Sequence, residues 1–248
     1  CSPQNPTGTT FRKEELEAIC DMVIEENKRR GDGQKKLYVM YDQMYWHLTY
    51  AGIKHYNPVS LRYEMRDYTI FIDAISKVFA ATGVRVGWGM GPAPVISKMK
   101  AILTHIGAWA PMAEQKAVAY YLGNRDGIKK YLANFKSEIE ERLRRIYNGF
   151  TLLKNEGLPV DAITPEAAIY LTIKIDLAGK KTTEGKVLET QSDVTAYVLN
   201  AAGLAVVPFY AFGADRSSAW YRLSVGTCKK NEIEEMIGRL REALKNLS

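Results

Sequence analysis

Short apolar runs that alternate with amphipathic helices are the feature of this sequence that most limits its fold. Residues 36–42 (KLYVMYD) and 68–76 (YTIFIDAIS) have the length and composition of buried strands, and residues 83–91 (GVRVGWGMG) alternate apolar side chains with others. Before the first run, an apolar stripe with the spacing of a helix begins at Leu16. This order predicts an α/β fold in which helices cover a sheet, and ligands of such sheets usually bind at the carboxyl ends of the strands.

The second half of the chain has a different pattern. A long amphipathic helix is predicted over about residues 127–155, and a further helix near residues 193–202. The last helix carries an apolar stripe that begins at Ile233. Strands are expected at residues 168–175, 205–209 and 220–225. This half therefore predicts a second, smaller α+β unit, which the long helix would connect to the first.

The composition disfavours several classes of protein. Of the 248 residues, 46% are hydrophobic and 25% are charged, which is ordinary for a globular protein. No apolar run has the length needed to span a bilayer, and the first residues lack a signal-peptide pattern, so we expect a cytoplasmic protein without a membrane partner. The net charge of +6 is spread over helices in which Lys and Arg stand beside Glu, which is typical of solvated faces and does not favour nucleic-acid binding.

The cysteines and histidines do not predict a metal site. Cys1, Cys20 and Cys228 are widely spaced and form no Cys-x-x-Cys pair, so neither a disulfide framework nor a zinc site is expected. Cys20 falls on the apolar stripe of the first helix, which indicates a core position. The three histidines also lack the spacing of metal ligands.

A lysine that follows the second apolar run is the first candidate for chemistry. Lys77 leaves a buried segment and enters a loop of small residues, where partial desolvation would lower the pKa of its amine and favour Schiff-base formation. Arg85 is predicted on a strand face opposite Val84 and Val86, where it would need an anion such as a carboxylate or a phosphate. Arg222, on the last predicted strand, is by itself more typical of a structural ion pair.

Two further motifs are uninformative when each is taken alone. Residues 5–8 (NPTG) combine a proline that fixes φ with a glycine that allows a positive φ, which predicts a tight turn. Residues 41–46 (YDQMYW) place Asp42 at the end of a strand and Tyr45 three residues later, a pattern of an acidic strand end with aromatic packing.

In their order along the chain, these motifs resemble those of the class I/II aminotransferases, the fold-type-I enzymes that use pyridoxal 5'-phosphate. The resemblance extends from Ser2 to the final helix, and the segment from Lys77 to Arg85 is its most specific part. It implies that residues 1–135 are the remainder of a large cofactor-binding domain with a mainly parallel sheet and flanking helices. Residues 136–248 would form a smaller C-terminal α+β domain.

The resemblance implies a role for each candidate near the cofactor ring. Lys77 would form the Schiff base with the cofactor aldehyde and would later move the proton between the substrate Cα and the cofactor C4′. Asp42 would pair with the pyridinium nitrogen, so that the ring can accept electrons. Tyr45 and Asn5 would hydrogen-bond the phenolic oxygen of the cofactor.

Two anion sites are also implied. Arg85 would bind the cofactor phosphate, and Arg222 would hold the α-carboxylate of the substrate in a bidentate fork. Many relatives have a phosphate-binding hydroxyl three residues before the lysine, where this chain has Ala74. Ser76 would supply a hydroxyl instead.

The chain departs from the family pattern in two other places. Many relatives read Pro-Gly-x-x-Phe-Gly in the small domain, whereas residues 208–213 here place Phe209 at the first glycine. This change would either narrow the substrate entrance or repack the strand. Relatives also carry a substantial region before the NPTG turn, so we expect this chain to be a C-terminal fragment with an incomplete sheet, exposed apolar surface and no turnover by itself.

The function implied by the resemblance is transfer of an amino group from an α-amino acid to a 2-oxo acid by a homodimer. Aspartate is the first expectation for the amino donor, and aromatic amino acids are the second. Two alternatives stay open from the sequence: a carbon–sulfur β-lyase that uses the same cofactor, and an aminotransferase-like ligand-sensing domain of a regulator.

Overall fold

The computed structural model describes residues 1–31 and 33–248, which form two compact units. The first unit contains residues 1–4 and 9–134, and the second contains residues 5–8 and 135–248. Within the described ranges, no helix is both long and apolar enough to cross a bilayer.

The first unit consists of a small sheet and the helices that pack beside it. Its elements, in chain order, are α1 (Lys13–Arg29), β1 (Val39–Asp42), α2 (Pro58–Leu61), β2 (Thr69–Ala74), α3 (Ile75–Val78), β3 (Gly87–Met90), α4 (Ala93–Ile106) and α5 (Met112–Leu122). The strand order is β1–β2–β3, in which β1 and β2 are parallel and β3 is antiparallel to β2. The predicted apolar stripe of α1 is buried and packs against Tyr41 and Met65.

The third apolar run does not form the strand that its alternation predicts. Strand β3 begins at Gly87, whereas residues 82–84 form one turn of 3-10 helix and Arg85 has a left-handed backbone with φ of 59°. The prediction that Arg85 lies on a strand face is therefore wrong. Val84 and Val86 still pack with Ile75, because the turn brings both side chains to the same small core.

The second unit is built on an antiparallel sheet. Helix α6 (Arg125–Asn155) leads into it, and the remaining elements are β4 (Val160–Ala162), β5 (Tyr170–Ile175), α7 (Gln191–Ala202), β6 (Val207–Pro208), β7 (Trp220–Ser224) and α8 (Ile233–Lys245). The strand order is β4–β5–β7–β6. Side chains of β7 alternate as predicted, since Tyr221 and Leu223 are buried and Arg222 lies on the other face.

Helix α4 of the first unit is apolar but has no buried residue. Ile106 at its end is 66% exposed, and Ile102, Trp109 and Met112 nearby in the chain are also exposed. One face of the helix is half-buried through Val95, Ile96, Met99 and Leu103, whereas its other apolar side chains face solvent.

Candidate active site

The carboxyl ends of strands β1 and β2 bring Asp42 and Lys77 to one edge of the sheet. Asp42 is the last residue of β1, and it pairs in parallel register with Ile72 of β2. Strand β2 continues directly into α3, which carries Lys77. Lys77 is partly buried, and its Nζ makes no hydrogen bond or ion pair with any residue in the part of the chain that the structure describes. The amine is thus available to a ligand.

The loop after β1 holds Tyr45 in a fixed position. The backbone N–H of Gln43 donates to Ile72 O at 3.1 Å, which extends the strand pairing by one residue. Asp42 Oδ1 accepts a hydrogen bond from the Met44 N–H at 3.0 Å, and Tyr45 itself is buried. The side chain of Asp42 is therefore partly used to shape the loop that carries Tyr45.

Asp73 is a further acidic residue close to Asp42, and it was not among the predicted candidates. It is a buried carboxylate on β2, and its Oδ2 accepts a hydrogen bond from Trp46 Nε1 at 3.1 Å. Burial raises the pKa of the Asp73 carboxyl, which hydrogen bonds from the Ala74 N–H, Trp46 and Gln43 partly oppose. The bond to Trp46 ties the Tyr45 loop to β2. A charged residue inside the apolar run 68–76 was the available signal.

Ser76 and Arg85 provide polar groups near Lys77 in sequence. Ser76 is partly buried in α3, and Ala74, three residues before the lysine, is buried and has no hydroxyl. Arg85 is exposed, and its Nη1 donates to Thr82 O at 2.9 Å. Its left-handed backbone caps the 3-10 turn, and the guanidinium has no ion pair within residues 1–31 and 33–248. Arg85 thus remains able to bind an anion.

The NPTG turn forms as predicted, and it packs against the sheet of the second unit. Thr172 Oγ1 donates to Thr7 O at 2.8 Å, and the Ala167 N–H donates to Gly8 O at 2.9 Å. Gly8 has a φ of 73°, and a Cβ there would lie 2.3 Å from Tyr170 O. Only glycine fits this close approach, because any side chain would collide with the backbone of β5.

Arg222 lies on β7 beside this turn. Its Nη1 donates to Asn5 Oδ1 at 2.8 Å, and its Cζ lies 4.8 Å from the ring centroids of both Tyr170 and Phe212. Its Nε is buried and has no hydrogen-bond partner among the described residues. A buried donor without an acceptor is unfavourable by about 1–3 kcal/mol.

Arg222 also has no ion pair with a carboxylate in the described residues. The structural ion pair that its isolated position in the sequence suggested is therefore not present. The guanidinium is held by an amide oxygen and two rings and keeps an unused N–H, which is a donor that a carboxylate can bind.

The predicted site residues form two groups. Asp42, Tyr45, Ser76, Lys77 and Arg85 belong to the first unit, and Asn5 and Arg222 are in direct contact in the second. No set of three or more His, Cys, Asp or Glu side chains in the described ranges is placed to hold a metal ion.

Comparison with known proteins identifies the family to which the chain belongs. The profile of the family "Aminotransferase class I and II" matches residues 1–240. A probable aspartate/prephenate aminotransferase of Rhizobium leguminosarum bv. phaseoli is 30% identical over 240 residues, which are 96% of this chain and 55% of that protein. An aspartate aminotransferase of Rhizobium meliloti is 29% identical over 249 aligned positions, covering 100% of this chain and 56% of the relative.

Solved structures show the same likeness. The crystal structure of the Rhizobium meliloti aspartate aminotransferase superposes with a TM-score of 0.85 at 27% identity, covering 100% of this chain and 57% of that one. An aromatic aminotransferase from Pyrococcus horikoshii OT3 gives a TM-score of 0.82 at 29% identity, covering 98% of this chain and 58% of that one. These matches confirm the resemblance and the predicted fold class. The chain spans little more than half the length of the relatives it matches.

Proposed function

The chain belongs to the aminotransferase class I and II family, whose members are pyridoxal-phosphate-dependent transferases, and we propose that it contributes the reactive lysine and the substrate-carboxylate arginine of such an enzyme. The reaction is transfer of an amino group from an α-amino acid to a 2-oxo acid. The observation that carries this proposal is Lys77, an amine without a partner in the described chain that directly follows a strand parallel to the one ended by Asp42.

The residues of the first unit fit the cofactor. An unpaired amine and a carboxylate at the same sheet edge match its aldehyde and its basic ring nitrogen. When bound, pyridoxal phosphate acts as the electron sink for the electrons of the substrate Cα–H bond. Asp42 keeps the ring nitrogen protonated by pairing with it, and the Lys77 amine moves the proton from the substrate Cα. Tyr45 donates from its hydroxyl to the phenolic oxygen.

Three further residues contribute to ligand binding in this proposal. In the second unit, Asn5 Oδ1 already accepts from Arg222, so the Asn5 amide N–H is the group left to donate to a ligand. Arg85 and the Ser76 hydroxyl bind the phosphate, where a guanidinium gives charge-assisted hydrogen bonds.

Arg222 binds the α-carboxylate of the amino acid. Its buried, unpaired Nε supports this role, because a carboxylate oxygen would satisfy that donor. Aspartate is the first proposed donor, since relatives from two Rhizobium species are named for it, and aromatic amino acids are the second, in view of the Pyrococcus horikoshii neighbour. The 2-oxo acid is the acceptor.

The protein acts as a homodimer in this proposal. The exposed apolar side chains of α4 supply a surface that additional polypeptide can cover. We further propose that turnover requires segments that the relatives have beyond the part this chain spans, so the 248 residues alone bind ligands but do not turn over substrate.

The test is chemical trapping of the lysine. The chain is incubated with pyridoxal phosphate and reduced with borohydride, and the modified lysine is mapped by mass spectrometry. We expect modification chiefly at Lys77, and its loss in Lys77→Ala. Lys98→Ala, which removes a lysine from α4, is the matched control and keeps the modification at Lys77. Equal modification of many surface lysines would contradict the proposal.

The reaction is tested in the longest natural protein that contains this sequence. Aspartate and 2-oxoglutarate are expected to give oxaloacetate and glutamate, with loss of activity in Lys77→Ala. Release of pyruvate and ammonia from cystathionine, without transfer to an oxo acid, would assign the β-lyase reaction in its place.

A further inference from the structure

Two aromatic rings contact the guanidinium of Arg222 in the second unit. The Cζ of Arg222 lies over the ring of Tyr170 and over the ring of Phe212, at 4.8 Å from each centroid. The ring of Phe209 in turn contacts Phe212 edge to face, with centroids 6.1 Å apart and an angle of 69° between the planes. Phe209 is the residue that departs from the Pro-Gly pattern of the family, and its contact with Phe212 connects it to the arginine.

The two rings beside Arg222 differ in how firmly they are held. Tyr170 is 5% exposed and forms the first residue of β5, so it is a fixed platform. Phe212 is 40% exposed and lies at the end of a 3-10 turn, Phe209–Phe212, which stops at Gly213 with φ of 94°. Phe212 therefore contacts the guanidinium from a partly exposed position, and its ring also packs against that of Phe209 in the same turn.

The contacts leave the Nε donor of the guanidinium without an acceptor within the described ranges. Nη1 is occupied by Asn5 Oδ1, while Nε is buried and has no partner in the described residues. The N–H groups of Nε and Nη2 are parallel, which is the geometry that pairs with both oxygens of a carboxylate. An arginine side chain loses considerable freedom when it is fixed, and ring faces that hold it beforehand reduce that loss on binding.

We propose that Tyr170 and Phe212 are positioning residues that hold the Nε–Nη2 edge of Arg222 for the substrate carboxylate, and that Phe209 acts through Phe212. This inference rests on the proposed carboxylate role of Arg222. It gives Phe209 a function other than narrowing the entrance: its ring keeps Phe212 over the arginine.

The experiment observes Arg222 directly in the 248-residue chain without cofactor. The Nε–Hε resonance is recorded by NMR on labelled protein and assigned by its loss in Arg222→Lys. Sodium maleate serves as the carboxylate probe, and its neutral diamide serves as the negative control. We expect maleate to shift the Nε–Hε resonance in a saturable way and the diamide to leave it unchanged.

Variants separate positioning from simple packing. Phe212→Leu keeps an apolar side chain but removes the ring face, and we expect maleate affinity to fall at least fivefold. Phe209→Gly is expected to lower the maleate affinity two- to fivefold. The affinity of Phe212→Tyr is expected to stay within twofold of the parent's. Tyr63→Leu removes the ring beneath Arg66 in the first unit and is the matched control, with no change expected. Circular dichroism checks that each variant is folded.

The outcomes distinguish this inference from the proposed function. If maleate fails to shift the resonance of the unmodified chain, the carboxylate role of Arg222 is wrong and the inference fails with it. If maleate binds equally well to the parent and to Phe212→Leu, the positioning role alone is refuted, while the carboxylate role stands. A loss of affinity in Phe212→Leu that Phe212→Tyr does not share supports the proposal.

Discussion

Arg222 Nη1 lies 2.8 Å from Asn5 Oδ1, although 217 positions separate the two residues in the chain. The bond joins the NPTG turn to the central part of the second unit's sheet. Thr172, which is paired with Arg222 across β5 and β7, also holds this turn through the carbonyl of Thr7. The turn and the arginine are therefore parts of one arrangement.

The first prediction concerns the charge of residue 5. Asn5→Asp would place a carboxylate against Arg222, and this internal ion pair would compete with a ligand carboxylate. We expect maleate affinity to fall at least tenfold in Asn5→Asp. In Asn5→Ala we expect a smaller loss of about threefold, because the alanine removes the hydrogen bond to Nη1 without adding a competing charge. The NMR titration described above measures both. Gln4→Glu adds the same charge one residue away, and an equal loss there would show that the effect is not local.

The second prediction concerns His55 and pH. Burial lowers the pKa of His55 to about 4 from its ordinary 6.5, and neither ring nitrogen has a hydrogen-bond partner among the described residues. Its ring lies near those of Tyr41 and Trp46. Between pH 4 and 6.5 the unfolded chain binds a proton that the folded chain excludes. The contribution of His55 to stability is thus fully present above about pH 6.5 and is lost as the pH falls toward about 4.

Urea unfolding at a series of pH values measures this effect. The urea midpoint should fall less steeply between pH 6.5 and 4 in His55→Gln than in the parent, because glutamine does not titrate. His105→Gln removes an exposed histidine from α4 and should reproduce the slope of the parent. The prediction is wrong if all three proteins share one slope.

The third prediction concerns thiol reactivity. Cys20 lies on the buried face of α1, and burial raises the pKa of its thiol, whereas Cys1 is exposed. The thiolate is the reactive form, so Cys20 should react with an aromatic disulfide reagent at least 100-fold more slowly than Cys1 in the folded protein. Cys1→Ser should remove the fast phase, and urea should make Cys20 reactive. A fast phase that persists in Cys1→Ser and disappears in Cys20→Ser would contradict the packing of α1.

The fourth prediction concerns the buried side-chain amide of Asn27 in α1, which is hydrogen-bonded to the backbone just before β1. Asn27 Nδ2 donates to Leu37 O at 2.9 Å, and its Oδ1 accepts from the Leu37 N–H at 2.7 Å. Asn27→Ala removes both bonds and should lower the free energy of unfolding by about 2 kcal/mol, at about 1 kcal/mol for each bond. Urea unfolding measures the change. Glu25→Ala, on the exposed face of the same helix, should change stability by less than about 0.5 kcal/mol.

The elements that the sequence predicted correctly are those whose signal is local and repeated. The apolar runs at β1 and β2, the long helix α6 and the alternation of Tyr221 with Arg222 all follow from burial of one face or one segment. The loop predicted for Lys77 was wrong, because β2 ends at Ala74 and the chain continues directly into α3, which contains Lys77. The prediction that Arg85 lies on a strand face was wrong. Val84 and Val86 pack into the core from a 3-10 turn and the residues that follow it, so their alternation with Arg85 does not require a strand.

The sequence by itself determined the class of fold, the order of the motifs and the identity of the candidate residues, because apolar periodicity, turn chemistry and motif spacing are properties of neighbouring positions. Only the tertiary structure decided which distant residues meet. The contact of Asn5 with Arg222, the stacking of Tyr170 on Arg222, and the bond from Trp46 to Asp73 each join segments whose separation carries no local signal. Such contacts depend on strand register and on how turns pack against a sheet. Both are defined only when the whole chain has folded.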